Sequence, residues 1–390
     1  MKKLGYLMGV ALLTLVSCTN EINEEGFVDK ANAISFNAYS NKTRVVSGDV
    51  TSDNMKDDNF GVFGYYNNSP YLYVSESTTK KAVEQYWKSN EETSSGTWEY
   101  KNIGDMKFWP DRNATMDFYA YFPYSDNATF VESISSGSAV MTIPNQTCNH
   151  DVLFAKTSST HDERVPLTFY HAFAKIQGVN IKVNGGNVGQ TDVQVTIKDV
   201  EFINTNRSGS IKVGTDGTAS YDIASTKVTL SKNFSTATTI SKSLTDGVKI
   251  ISDSELCYLF ATNTDATNNV KGTGNPLWDG YKSSLNSGTL STSNFVCLKL
   301  TCKVKDNTHY LVGSEGEGDD NYGEVYIPLT GSDAVPDNET YLVAGKRYTY
   351  NIVFSHNVGY KDNGDPILDP ILFSVSSVEA WGDVDVTITL

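Results

Sequence analysis

The chain has 390 residues, with 31 Lys and Arg against 46 Asp and Glu, a net charge of −15. It lacks the cation clusters by which nucleic-acid binders are recognised, and 39% hydrophobic with 11% aromatic residues is too apolar for a disordered chain. Ten Pro and 30 Gly exclude a collagenous or low-complexity sequence, and the long apolar run is confined to the N-terminus, which excludes a polytopic membrane protein.

The chain opens with a short basic segment, Met1-Lys2-Lys3, followed by an apolar stretch from Leu4 to Val16. That length fits the apolar core of a secretory signal and is too short to span a bilayer. It ends Leu15-Val16-Ser17-Cys18, which resembles a bacterial lipobox, where cleavage precedes the Cys and the new N-terminus is acylated. An ordinary signal peptide with an incidental Cys is the alternative. Cleavage would remove Lys2 and Lys3 and take the net charge from −15 to −17, favouring solubility and repelling anionic polymers. A polar acidic tether, Thr19 to Glu25, comes next.

Beyond the tether, Ile34, Phe36 and Ala38 alternate with Ser35, Asn37 and Tyr39, the pattern of a short half-buried strand. Thr79–Trp87 reads as the single helical stretch or, equally, as a loop excursion. Elsewhere short alternating runs sit between turn residues. Val193, Val195 and Ile197 share a face, and Val200 and Phe202 continue after a slip in phase that suggests a β-bulge. Asp216-Gly217, bracketed by Val213 and Ile223, is a hairpin signature. Val325–Leu329 and Tyr348–Phe354 alternate as well. At the end of the chain Val384, Val386, Ile388 and Leu390 fall on one face. Asn90–Gly96 and Asn263–Ser293 read as polar loops, and Gly313–Gly323 as an acidic one. Many short strands with turns between them argue an all-β sandwich architecture. The chain is too long for one sandwich of about 100 residues, so two are expected, with a seam near residues 160–172.

Motifs for chemistry are absent: there is no Gly-x-Ser-x-Gly elbow, Walker loop or His-Glu-x-x-His. The five His are scattered, and His171, in an apolar strand, reads as a satisfied structural residue. Asp362–Asp365 and Glu315–Asp320 offer oxygen ligands without EF-hand spacing and read as solvated turns. No catalytic residue, metal or cofactor is expected, and an enzyme is not expected. Of the Cys beyond the signal, Cys148, Cys257, Cys297 and Cys302, none has zinc-finger spacing, and buried free thiols are the plain reading. Cys297 and Cys302 are an odd offset apart, which on a strand puts them on opposite faces. Tyr65, Tyr66, Tyr71, Tyr73, Trp87, Trp98 and Tyr100 crowd the first domain. They read as core packing, or alternatively as sugar-stacking platforms of an anchored glycan-binding lipoprotein.

Several segments in order resemble the fimbrillin family, the subunits of type V pili of Bacteroidia. They are Phe60–Tyr66, Phe108-Trp109-Pro110 with Met116–Pro123, Asp151–Ala155, Val165–His171, Ala172–Ile176, Tyr341–Tyr350 and Val378-x-x-Trp381. The resemblance implies two transthyretin-like antiparallel β-sandwich domains in tandem. It also implies export by signal peptidase II as an outer-membrane lipoprotein acylated at Cys18, and display at the cell surface and then in a fimbrium used for adhesion. The implied partners are other fimbrial subunits, a trypsin-like processing protease and a host or bacterial surface ligand; no nucleic acid is expected.

In that family a protease cuts after a basic residue and removes an N-terminal strand, and a terminal strand of another subunit fills the groove. Here Arg44 is the only Arg between Cys18 and residue 60 and lies in the polar run Ser40 to Ser47, a place proteases reach. Lys42 competes with it. Cutting at Arg44 would free the strand of Ile34, Phe36 and Ala38 together with the anchor. The end strand of Val384, Val386, Ile388 and Leu390 is either the donor for a neighbour or the last strand of the chain's own second sandwich. The expected division is thus 1–17 signal peptide, 18–44 tether and propeptide strand, 45–165 N-terminal sandwich and 166–390 C-terminal sandwich. Stalk, tip and anchor roles are all open.

Overall fold

The computed structural model describes residues 32–40, 50–76, 79–90, 95–131, 139–161, 164–183, 193–224, 228–241, 248–251, 258–260, 297–306, 309–316, 318–328, 342–354, 372–376 and 382–389. Among these the chain is all-β, interrupted only by short 3-10 turns such as Asn54–Asp57 and Ile103–Asp105. The first half supplies β1 (Phe36–Ser40), β2 (Phe60–Tyr66), β3 (Ser69–Leu72), β4 (Val74–Glu76), β5 (Thr79–Lys81) and β6 (Val83–Asn90). It continues with β7 (Ser95–Tyr100), β8 (Thr115–Phe122), β9 (Thr129–Phe130), β10 (Ala139–Gln146), β11 (Leu153–Thr160) and β12 (Val165–His171).

The second half contains β13 (Phe173–Val183), β14 (Val193–Thr205), β15 (Gly209–Gly214), β16 (Ala219–Ile223), β17 (Val228–Ser241), β18 (Val248–Ile251) and β19 (Tyr258–Phe260). Then follow β20 (Cys297–Asp306), β21 (His309–Val312), β22 (Gly323–Pro328), β23 (Lys346–Phe354), β24 (Leu372–Ser376) and β25 (Gly382–Thr389).

The largest sheet runs β1-β12-β11-β8-β2-β6-β7, with β3 also on β2. Both its faces are buried, which is why β2 and β8 read as continuous apolar runs rather than alternations. One face carries Phe60, Val62, Met116 and Phe118, and curls so that the sheet's two ends meet around them. The other carries Phe63, Tyr65, Tyr119 and Tyr121 and stacks on a small sheet, β16-β15-β10-β9, through Met141, Ile143, Ile211 and Val213.

Gly61 pairs directly with Tyr121, whose ring lies across it. A Cβ there would sit 2.5 Å from that ring, and Tyr121 is held by its hydroxyl on the Ser125 carbonyl at 2.5 Å. Gly61→Ala should therefore overpack this face and lower stability by about 1–3 kcal/mol, read as a shifted urea midpoint with an unchanged slope.

The second pair of sheets is β18-β13-β23-β25-β24, with β19 on β13, and β17-β14-β20-β21, with β22 on β20. Val179, Ile181, Tyr350 and Ile352 from the first meet Val195, Ile197, Leu300 and Val304 from the second in one core. The phase slip expected in β14 is present: its register with both β17 and β20 shifts between Ile197 and Asp199. The shift lets Val195, Ile197, Val200 and Phe202 all stay buried. The Asp216-Gly217 hairpin joins β15 to β16, with Gly217 at φ +81°.

Thr79–Trp87 is neither helix nor loop: it forms β5 and most of β6. Trp87 faces Trp98 across β6 and β7, their ring centroids 5.5 Å apart, and that cross-strand contact outweighs local propensity. The expected division at residue 165 falls at the start of β12, which pairs with β1 and β11 in the first sheet. β15 and β16, far along the chain, return to pair on β10.

Candidate functional site

Three of the residues singled out above come together at the edge of the first sheet. Ile34, Phe36 and Ala38 are buried in the core that the curled sheet encloses. β1 runs parallel to β12, with Phe36 opposite Val165 and Ala38 opposite Leu167. Just before it, Ala33 bridges to Phe108, the Ile34 N–H donates to the Lys107 carbonyl at 2.9 Å, and the Trp109 N–H donates to the Asn32 carbonyl at 3.2 Å. Residues 32–40 thus bridge the gap between β12 and the 107–109 segment. The Phe108-Trp109 block is part of that seat.

The seat is aromatic. The Phe36 ring packs edge-on against Phe118 at 5.7 Å and Phe60 at 6.2 Å, and at a tilt against Tyr100 at 6.4 Å. Phe60 in turn meets Trp98 and Phe169 at 4.8 and 5.5 Å. The Tyr100 hydroxyl donates to the Ile34 carbonyl at 2.8 Å, so β7, the far end of the sheet, closes on the N-terminal segment. Burial pushes the Tyr100 phenol well above its ordinary pKa, which keeps it the donor of that bond. β12 alternates as its sequence requires: Val165, Leu167 and Phe169 point inward and Pro166, Thr168 and Tyr170 outward. Among the described residues, β1 has β12 as its neighbour on one side and no further strand pairs on its other side in the sheet.

Chain positions around the seat are anchored by a buried pair. His171 Nδ1 and Asp151 Oδ2 lie 2.7 Å apart, and the same Asp151 oxygen accepts from the Val50 N–H at 3.3 Å. His171 is therefore a structural residue, as its apolar strand suggested. Val50 is where the described chain resumes after Arg44 and Lys42, which lie outside the described residues, as does Cys18.

At the other end, Val384, Val386 and Ile388 lie in β25, and Leu390 is outside the described residues. β25 is flanked on both sides, parallel to β23 (Lys346 to Val353) and antiparallel to β24 (Leu372 to Ser376). In the structure this strand lies within a sheet of its own chain, while its sequence pattern suits either place.

Of the crowded aromatics, Tyr65, Trp98 and Tyr100 are buried in the cores, and Tyr66, Tyr71, Tyr73 and Trp87 are half-buried against them. Cys148 and Cys302 are buried free thiols, and burial pushes the Cys302 thiol up to about 12. In the acidic loop Asp319 is ion-paired to Lys198.

Gln85 escaped the sequence reading. It follows Val83 at a spacing of two on the inward face of β6, a signal that the helical reading of Thr79–Trp87 hid.

Fold and seat together define an all-β sandwich protein whose first sheet ends in an N-terminal edge strand. The sequence pattern of the fimbrillin-like family matches residues 43–368, and the chain belongs to that family. A fimbrium subunit, Fim1C, of Phocaeicola vulgatus (strain ATCC 8482) is 21% identical over 218 residues, 51% of this chain and 56% of the relative. The chain thus spans about half the length of that curated relative. A fimbrial protein from Bacteroides vulgatus ATCC 8482 aligns at 15% identity over 83% of this chain and 95% of its own, with a TM-score of 0.48. A fimbrilin from Porphyromonas gingivalis W83 aligns at 13% identity over 92% and 96%, with a TM-score of 0.40.

Proposed function

We propose that this chain is a structural, non-catalytic subunit of a cell-surface fimbrium that serves adhesion. On this reading it is two transthyretin-like sandwiches in tandem, exported as an outer-membrane lipoprotein acylated at Cys18. A trypsin-like protease then cuts after Arg44, releasing the anchor and β1 in one step. The vacated edge of β12 and its aromatic floor receive a strand from another subunit.

The observation that carries the reading is the placement of β1. It supplies Ile34, Phe36 and Ala38 to the core yet, among the described residues, pairs with β12 alone, and Arg44 follows its last residue by four positions in the sequence. Removing such a strand leaves the rest of the sheet's pairing intact while exposing a row of N–H and C=O groups on β12, which recruit a replacement strand. The donor end is proposed as β25, which must first leave its place between β23 and β24. Its loss would open the second sandwich, so donation is coupled to incorporation rather than free in solution.

Arg44→Ala should leave the chain anchored and abolish its incorporation into filaments, with Lys42→Ala changing little. N-terminal sequencing of sheared surface filaments should return Val45 for the wild type. A wild-type start at Cys18, or filaments of normal length from Arg44→Ala, would overturn the reading.

A further inference from the structure

Gln85 is fully buried on β6, and neither atom of its side-chain amide has a hydrogen-bond partner. A buried amide in that state weakens the fold, and its presence calls for an explanation. Its surroundings suggest one. Across the sheet Gln85 is directly opposite Phe60 on β2 and Tyr100 on β7. Side chains at directly opposed positions are neighbours on one face. Those same two rings are the ones that Phe36 packs against. Gln85 therefore lies in the floor of the β1 seat, in the row between the two rings against which Phe36 packs. Ile34, Phe36 and Ala38 offer it no polar group, and the Tyr100 hydroxyl is engaged by the Ile34 carbonyl.

We propose that Gln85 selects the strand that replaces β1: the occupant comes from a different subunit and carries an amide or hydroxyl side chain at the inward position now held by Phe36. This inference rests on the strand-exchange reading above. An occupant of that chemistry satisfies the amide and gains over β1 what β1 forfeits, so the resident strand stays replaceable and the incoming one is retained. A second copy of this chain is the wrong partner. Its last strand alternates Val384, Val386, Ile388 and Leu390 on one face, with no hydrogen-bonding group. Its other face holds the Thr387 and Thr389 hydroxyls but would carry Asp383 and Asp385 into an apolar core along with them, at a prohibitive desolvation cost.

The test uses the full chain from residue 19, with a site-specific protease sequence in place of residues 41–44, cut after folding. Peptides of residues 382–390 are added, either unchanged or with Val384, Val386 or Ile388 replaced in turn by Gln or Thr. Release of the β1 segment is followed by mass spectrometry. One substituted position should displace β1 at roughly tenfold lower concentration than the unchanged peptide, the size of one buried hydrogen bond. Gln85→Leu should erase that preference while raising the unfolding temperature of the uncut chain. Equal displacement by all peptides, a preference that survives Gln85→Leu, or a lowered unfolding temperature would overturn the inference and leave strand exchange standing. If no peptide releases β1 at any concentration, strand exchange fails and the inference with it.

Discussion

Phe36→Ala should destabilise the uncut chain by about 3–5 kcal/mol, the cost of removing a fully enclosed phenyl ring from a core. The ring is inaccessible to solvent and touches Phe60, Phe118 and Tyr100 at once. Those partners sit on β2, β8 and β7, strands fixed by their own pairing, so the site has little freedom to collapse into the space left. A Phe on an ordinary, loosely held edge would cost far less. Tyr39→Ala on the same strand is the internal control, since Tyr39 is 53% exposed and its loss should stay within about 0.5 kcal/mol. Urea unfolding followed by tryptophan fluorescence reports the right region, because Trp98 and Trp109 belong to the enclosed core. Equal effects from the two substitutions would mean that β1 is not part of that core. After a cut in the 41–49 segment, Phe36→Ala should also speed loss of β1, since the segment would then be held by main-chain bonds, the Tyr100 hydroxyl on the Ile34 carbonyl and two smaller apolar residues.

Local pattern carried much of this fold. The alternation of Ile34, Phe36 and Ala38 against polar neighbours announced β1, and its inward face is the one expected. The slip after Ile197 announced a bulge because period two fixes which face each residue takes, and both partner strands register it at that point. Pairing between distant segments left no such trace. Nothing in residues 32–40 names β12 as their neighbour, more than 120 residues away, or says that β15 and β16 return to β10. The closure of β7 onto Ile34 depends on sheet curl, which is a property of the assembled strands rather than of any one of them.

Thr79–Trp87 misled for a related reason. Its Lys, Ala, Glu and Gln favour a helix in isolation, and only the Trp87–Trp98 contact with a strand not yet formed makes it β. That error also hid Gln85, since an inward-facing Gln is visible only once the strand period is assumed. The strand β25 shows the opposite limit. Faultless alternation from Val384 to Leu390 is equally suited to a neighbour's groove and to the space between β23 and β24.

The central claim is that β1 must leave its place for the subunit to assemble, and a reversible lock tests it most directly. Tyr39 on β1 and Thr168 on β12 are register partners, both on the outward, exposed face. Cysteines at these two positions lie on adjacent strands at a spacing within reach of a disulfide, and their outward setting leaves the aromatic floor untouched. Under oxidising conditions the double variant, Tyr39→Cys with Thr168→Cys, should still be open to cutting after Arg44, keep the β1 segment covalently attached, and remain solitary. Adding a reductant to the same sample should release the segment and restore polymerisation, while each single variant assembles under both conditions. Filaments forming at the wild-type rate from the oxidised, fully cross-linked protein would contradict the account, because the groove would then be filled by its own strand and assembly would have to proceed elsewhere on the molecule.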